Sequence, residues 1–231
     1  MEKDKSLFVQ QCRELEKDMA GLEGDIAVDG VINPEHYFDA PVHIMWVLKE
    51  ANNEYPFSFQ KDVSSEDWRR KCVGVISIRR ADYASYGILK GEGKNWVDFP
   101  ESGDPQVYDS FLDIAWVNLK KTIGGNSSDN WNVVEEYANK YRDIVKLQVE
   151  VYDPDVVIFC GSGLVDNLVE VGGFPGLDKC PEDAQTEGIV AYWTSPNGKL
   201  YIDAYHPSYL RLNDEDYVMS IVNAYRKWEK A

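Results

Sequence analysis

The sequence predicts one α/β domain, a three-layer α/β/α sandwich around a mainly parallel sheet. Three observations predict it. Continuous apolar runs at 43–48, 113–118 and 155–161 are too short for typical helices and read as strands buried on both faces. Amphipathic helical segments alternate with these runs, as βα units require. The 231 residues, 44% of them hydrophobic, are enough for a single substantial core.

The elements follow in order. Apolar spacing over 7–22, stopped by Gly21 and Gly24, predicts an N-terminal helix packed outside the sheet, within a helical extension at about 1–30. The strand His43-Ile44-Met45-Trp46-Val47-Leu48 then ends in Lys49-Glu50-Ala51-Asn52-Asn53. Ser64-Ser65-Glu66-Asp67 supplies a cap and first-turn acids for one helix over 64–86. Residues 87–105 are rich in Gly, Pro and Asp and read as surface loop, followed by a short helix near 107–112. A second buried strand ends at Asn118, and 120–129 is expected as a flexible loop. One helix is predicted over 131–151, broken by Asp153-Pro154-Asp155. Then come the strand at 155–161, a short helix to about 169, strands near 190–193 and 199–204, and a last helix over 214–230.

Composition narrows the function. Met1 is followed by a charged, helix-like stretch, and no apolar run approaches bilayer-spanning length, so a cytoplasmic protein without a membrane partner is expected. Cys12, Cys72, Cys160 and Cys180 form no C-x-x-C pair, which argues against a disulfide framework or zinc knuckle. The net charge of −16 repels phosphate backbones at long range. Basic clusters at Arg69-Arg70-Lys71, Arg79-Arg80 and Lys120-Lys121 read as solvated helix faces and loop ends.

Ligands of open α/β sheets gather beyond the carboxyl ends of the strands. Polar residues fall there: Glu50 and Asn52 after the first buried strand, Asn118 at the second, Ser162 after the third and His206 after the last. Pro207 stiffens the backbone beside His206. A serine hydrolase using Ser162, Asp203 and His206 lacks the Gly-x-Ser-x-Gly elbow. Gly161-x-Gly163 lacks the third glycine of a dinucleotide fingerprint, since position 166 is Asp. His36, His43 and His206 are widely separated and give no metal-binding spacing.

Four ordered segments resemble the uracil-DNA glycosylase superfamily: Leu48-Lys49-Glu50-Ala51-Asn52 with Tyr55-Pro56-Phe57, Ile114 to Lys121, Pro154 to Gly161, and His206-Pro207-Ser208-Tyr209-Leu210. The first is similar to the Gly-Glu-Ala-Pro-Gly motif of cluster-bearing members. The resemblance implies that fold and a hydrolase cleaving the N-glycosidic bond of uracil or another altered base in DNA, with no cofactor. It implies Glu50 and His206 as catalytic groups, one acting on the oxocarbenium ion or water and the other on charge of the departing base. Ala51, Asn52, Phe57 and Asn118 would bind the flipped base, with Phe57 stacking on it and Asn118 reading its edge. Leu210 takes the place of the duplex wedge, with Ser208 and Arg211 as further DNA contacts.

Departures accompany the matches. Lys49 stands where the family has glycine, and Asn52-Asn53 replace proline and glycine, so the water-binding loop must follow another backbone path. The cysteines do not reproduce the cluster-binding pattern. Asp214, Glu215 and Asp216 set negative charge where a DNA strand would pass, and Lys120, Lys121 and Arg211 could offset only part of it locally. The alternative from another class is a catalytically inactive module of the same fold that binds a free base, a nucleotide or a protein partner.

Overall fold

The computed structural model describes residues 4–124, 130–161, 163–171 and 174–231. Its strands are β1 (Ala27–Val28), β2 (Gly30–Val31), β3 (Ile44–Asn52), β4 (Phe57–Ser58), β5 (Ile114–Gly124), β6 (Val156–Cys160), β7 (Gln185–Glu187), β8 (Val190–Thr194) and β9 (Leu200–Ala204). The main sheet runs β2-β5-β3-β6-β9-β8-β7, while β1 and β4 form a separate parallel pair. The central strands β5, β3, β6 and β9 are mutually parallel, and β2, β8 and β7 add antiparallel edges. The fold is therefore mixed α/β with a mostly parallel central sheet.

Strand side chains alternate between two cores, as a period of two demands. Ile44, Trp46, Leu48, Val156, Ile158 and Cys160 pack with α5 (Ile76–Leu89) and α10 (Asp214–Glu229). Met45, Val47, Val157 and Phe159 pack with α1 (Lys5–Ala20), α8 (Arg142–Tyr152) and α9 (Leu164–Val171). Helices thus cover both faces, an arrangement compatible with the expected sandwich. On the first face the fully buried Trp46 donates its indole N–H to Ser85 of α5 at 3.2 Å.

Several boundaries differ from expectation. The single helix over 64–86 is two, α4 (Glu66–Cys72) and α5, separated around Gly74. The helix over 131–151 is also two, α7 (Trp131–Lys140) and α8, divided at Tyr141. Periodic apolar spacing continues across both breaks, which hid them. The expected loop after Asn118 is still strand as far as Gly124, and 125–129 lie outside the described residues. Helix α5 extends to Leu89, into the expected surface loop, and α6 (Pro105–Tyr108) begins earlier than expected. The segment after α1 turns into β1 and β2, so residues 27–31 join the sheets. Short elements also escaped the sequence: β4, β7, α2 (Pro34–Asp39) and α3 (Phe59–Asp62), the last two being helices of 6 and 4 residues.

Candidate functional site

Glu50 continues the face of β3 that carries Trp46 and Leu48, and Asn118 continues the face of β5 that carries Trp116. Both open onto a cavity of about 510 Å³ between the strand ends and α4–α5. Glu50, Ala51, Asn52, Phe57, Asn118, His206 and Ser208 all line it. The volume lies within the range of about 300–1,000 Å³ common for small-ligand sites. Phe59, Trp68, Trp116 and Ile78 supply apolar walls that the strand-end residues alone did not reveal. Phe57 meets Phe59 edge to face, with ring centroids 4.9 Å apart. Leu210 and Arg211 do not line the cavity; both are exposed, Leu210 to 80%. A depression of about 680 Å³ along α1 is larger, but surface side chains line it, with Arg13 paired to Glu35 and Lys5 to Asp39.

The sheet wall is built from buried charges. Glu50 and Lys120 are register partners on β3 and β5, and Lys120 donates to Glu50 Oε2 at 3.0 Å. Both side chains are almost fully buried. Gly124 makes this possible, since a Cβ there would lie 2.5 Å from Glu50 Oε2. A register shift between Glu50 and Asn52, with Asn53 N–H bonded to the Gly124 carbonyl at 3.3 Å, gives the loop its own backbone path.

Behind Asn118 lies a network that the sequence did not announce. Asp29 Oδ2 accepts from the Asn118 backbone N–H at 2.7 Å and from Asn118 Nδ2 at 3.2 Å. Asp29 Oδ1 accepts from Lys121 at 2.7 Å and from Gln148 Nε2 at 3.0 Å. Lys121 also donates to Gln148 Oε1 at 2.7 Å. Burial lowers the Lys121 pKa, and the charge of Asp29 works against that shift. Asn118 is fully buried, and its Oδ1 has no hydrogen-bond partner among the described residues.

His206 forms the loop wall. The Ser208 backbone N–H donates to its Nδ1 at 3.1 Å, with Ser208 Oγ 2.7 Å from the same nitrogen. A backbone N–H can only donate, so Nδ1 is unprotonated and the neutral ring carries its proton on Nε2. Burial and then the nearby Lys49 lower the His206 pKa, which keeps the ring neutral at physiological pH. Ser208, expected as a DNA contact, is thus engaged in holding the imidazole.

The loop is anchored from α5. Arg80, 1% exposed, donates to the carbonyls of Pro207 at 2.9 Å, Tyr209 at 3.0 Å and Leu212, and pairs with Asp214 at 2.8 Å. Arg79 takes the other Asp214 oxygen at 2.9 Å. Partial burial pushes the Asp214 carboxyl up, but its hydrogen bonds and proximity to Arg80 and Arg79 prevail and hold it below the usual range.

These contacts correct the reading of surface charge. Arg69, Arg80, Lys120 and Lys121, expected on solvated faces or loop ends, are buried and committed internally. Lys120 and Lys121 therefore cannot offset the acids after Leu210. Asp214 is itself neutralised, and the Asp216 carboxylate accepts from the side chain of Asn213, which caps α10 by accepting from the Asp216 backbone N–H.

The serine-hydrolase arrangement gains no His–Asp pair: Asp203 lines a different depression, and its Oδ1 has no partner among the described residues. Ser162 lies outside them. Among the described residues no helix is long and apolar enough to cross a membrane. No protein-family model matches the chain, and no curated protein matches its sequence.

Proposed function

We propose that the cavity receives a nucleobase and that the chain is a divergent uracil-DNA glycosylase-like hydrolase, cleaving the N-glycosidic bond of uracil or another altered base. The observation that carries this reading is that one cavity is lined by His206, a neutral imidazole with its proton on Nε2, and by Asn118, whose buried Oδ1 has no partner among the described residues. A lactam or imide edge, with a carbonyl beside a ring N–H, satisfies both. Phe57 and the neighbouring aromatic walls offer stacking surface for a planar ring.

In the reaction the C–N bond breaks and its electron pair leaves with the base. The His206 N–H stabilises the negative charge that grows on a base carbonyl, and neutrality lets it do so without surrendering a proton. Glu50, held by Lys120, orients water toward the sugar cation, which takes the hydroxyl while the proton is released. Leu210 and Arg211 stand exposed beyond the cavity, where a strand would pass. The neutralisation of Asp214 removes one repulsive charge from that path.

The second reading, a base- or nucleotide-binding module without chemistry, is favoured by the buried Glu50–Lys120 pair and by basic side chains withdrawn from a chain of net charge −16. Uracil-containing single- and double-stranded oligonucleotides separate the two. Abasic product, reduced at least about tenfold by Glu50→Gln and by His206→Ala, supports the hydrolase. Base binding without product supports the module. Neither binding nor product, beside an active control glycosylase, overturns both.

A further inference from the structure

What Asn118 can recognise depends on which way its amide points, and that direction is set from outside the cavity. Asp29 sits between β1 and β2 and is 1% exposed. Its position is fixed by Gly30, which has φ +125° and whose Cβ, if present, would lie 2.3 Å from Tyr152 Oη. Each Asp29 oxygen is occupied by donors: Lys121 and Gln148 on Oδ1, the Asn118 backbone N–H and Nδ2 on Oδ2. A carboxylate only accepts, so turning the Asn118 amide over would set oxygen against oxygen between two buried side chains. The remaining atom, Asn118 Oδ1, is the buried acceptor left without a partner among the described residues.

We propose that Asp29 is a specificity-determining positioning residue, which with Lys121 and Gln148 locks the Asn118 amide so that its acceptor, not its donor, meets the ligand. This rests on the nucleobase reading for its choice of ligand. The consequence is selection for a ring that presents N–H to Asn118 and rejection of one that presents a lone pair, because two opposed acceptors leave both unsatisfied. An aspartate serves here where an asparagine would not. The Asn118 backbone N–H holds an oxygen at the Oδ2 position, so an asparagine at 29 would turn its NH₂ toward the Lys121 ammonium and the Gln148 NH₂, whereas both carboxylate oxygens accept.

Calorimetric titration of the full chain with uracil and with cytosine tests the selection. Wild type should prefer uracil by at least about tenfold, and Asp29→Ala, which removes the acceptor that holds the Asn118 amide, should reduce that preference to within about threefold. Because Asp29→Ala leaves Lys121 without its counter-charge, Asp29→Ala/Lys121→Met is measured beside it, with melting curves to establish folding. An undiminished preference in either folded variant overturns the proposal. A second readout needs no ligand: in wild type the Asn118 side-chain NH₂ should show a displaced proton shift and slow exchange in NMR spectra, lost in the folded variant. Fast exchange in wild type overturns the proposal. Slow exchange with neither base bound leaves the lock standing and removes the nucleobase reading instead.

Discussion

The two walls of the cavity are held by opposite means. On the sheet wall, Asn118 and Glu50 are fixed by side chains, with Asp29, Lys121 and Lys120 buried as compensating charges in and beside β5. On the loop wall, Arg80 fixes the segment after His206 through backbone carbonyls. Side-chain interlocking ties the identity of each residue to its partner. Carbonyl capture leaves residue types free, so the tip at Leu210 and Arg211 can vary while the loop keeps its path. The sheet wall suits invariant recognition of a ligand edge, and the loop wall suits adjustable contact with whatever lies outside.

The largest expected effect breaks the sheet wall. Asp29→Ala strands the Lys121 charge in the interior and should cost about 3–5 kcal/mol in urea unfolding. A loss under about 1 kcal/mol would mean that the ammonium is not held by Asp29. Breaking the loop wall should cost less, because Asp214 is partly solvated and keeps Arg79: about 2–3 kcal/mol for Arg80→Met. Hydrogen exchange sharpens the contrast. Arg80→Met should accelerate the amides of Tyr209 and Leu212, which bond within the loop, and leave β5 amides protected.

Gly124→Ala probes whether Glu50 is tightly seated. With Oε2 only 2.5 Å from the new Cβ, the carboxylate must move, at about 1–3 kcal/mol in urea unfolding, and any activity that depends on its aim should fall, while the contacts between Asn118 and Asp29 persist. Unchanged stability and activity would show a wall that yields. The smallest effect is in pH dependence. The folded-state pKa of His206 is lowered, so its contribution to stability is present above about 6.5, the ordinary histidine value, and is lost as pH falls through the lowered folded value. His206→Gln should therefore lose less stability than the parent between pH 7 and 5 in denaturant titrations.

Legibility in the sequence followed the same division. Glu50, Asn118 and His206 could be found because apolar strands end at polar residues, and the ends of parallel strands converge. Asp29 could not, because it lies between two strands of 2 residues each, too short for any periodicity. Lys120 and Lys121 look like a strand exit when read along the chain, since lysine is almost never buried unless paired. Their partners, Glu50 and Asp29, are 70 and 92 residues away. Arg80 misleads likewise, its carbonyl partners lying 127–132 residues further on.

The sequence by itself determined the α/β class, the strands at the centre of the sheet and the residues that gather at their ends, because hydrophobic periodicity and chain punctuation are local. The tertiary structure alone decided which charges are spent inside, which tautomer His206 adopts and which Asn118 groups Asp29 holds. Those properties belong to pairs of groups that only folding brings together, and once buried, each group's chemistry is set by the partner it meets.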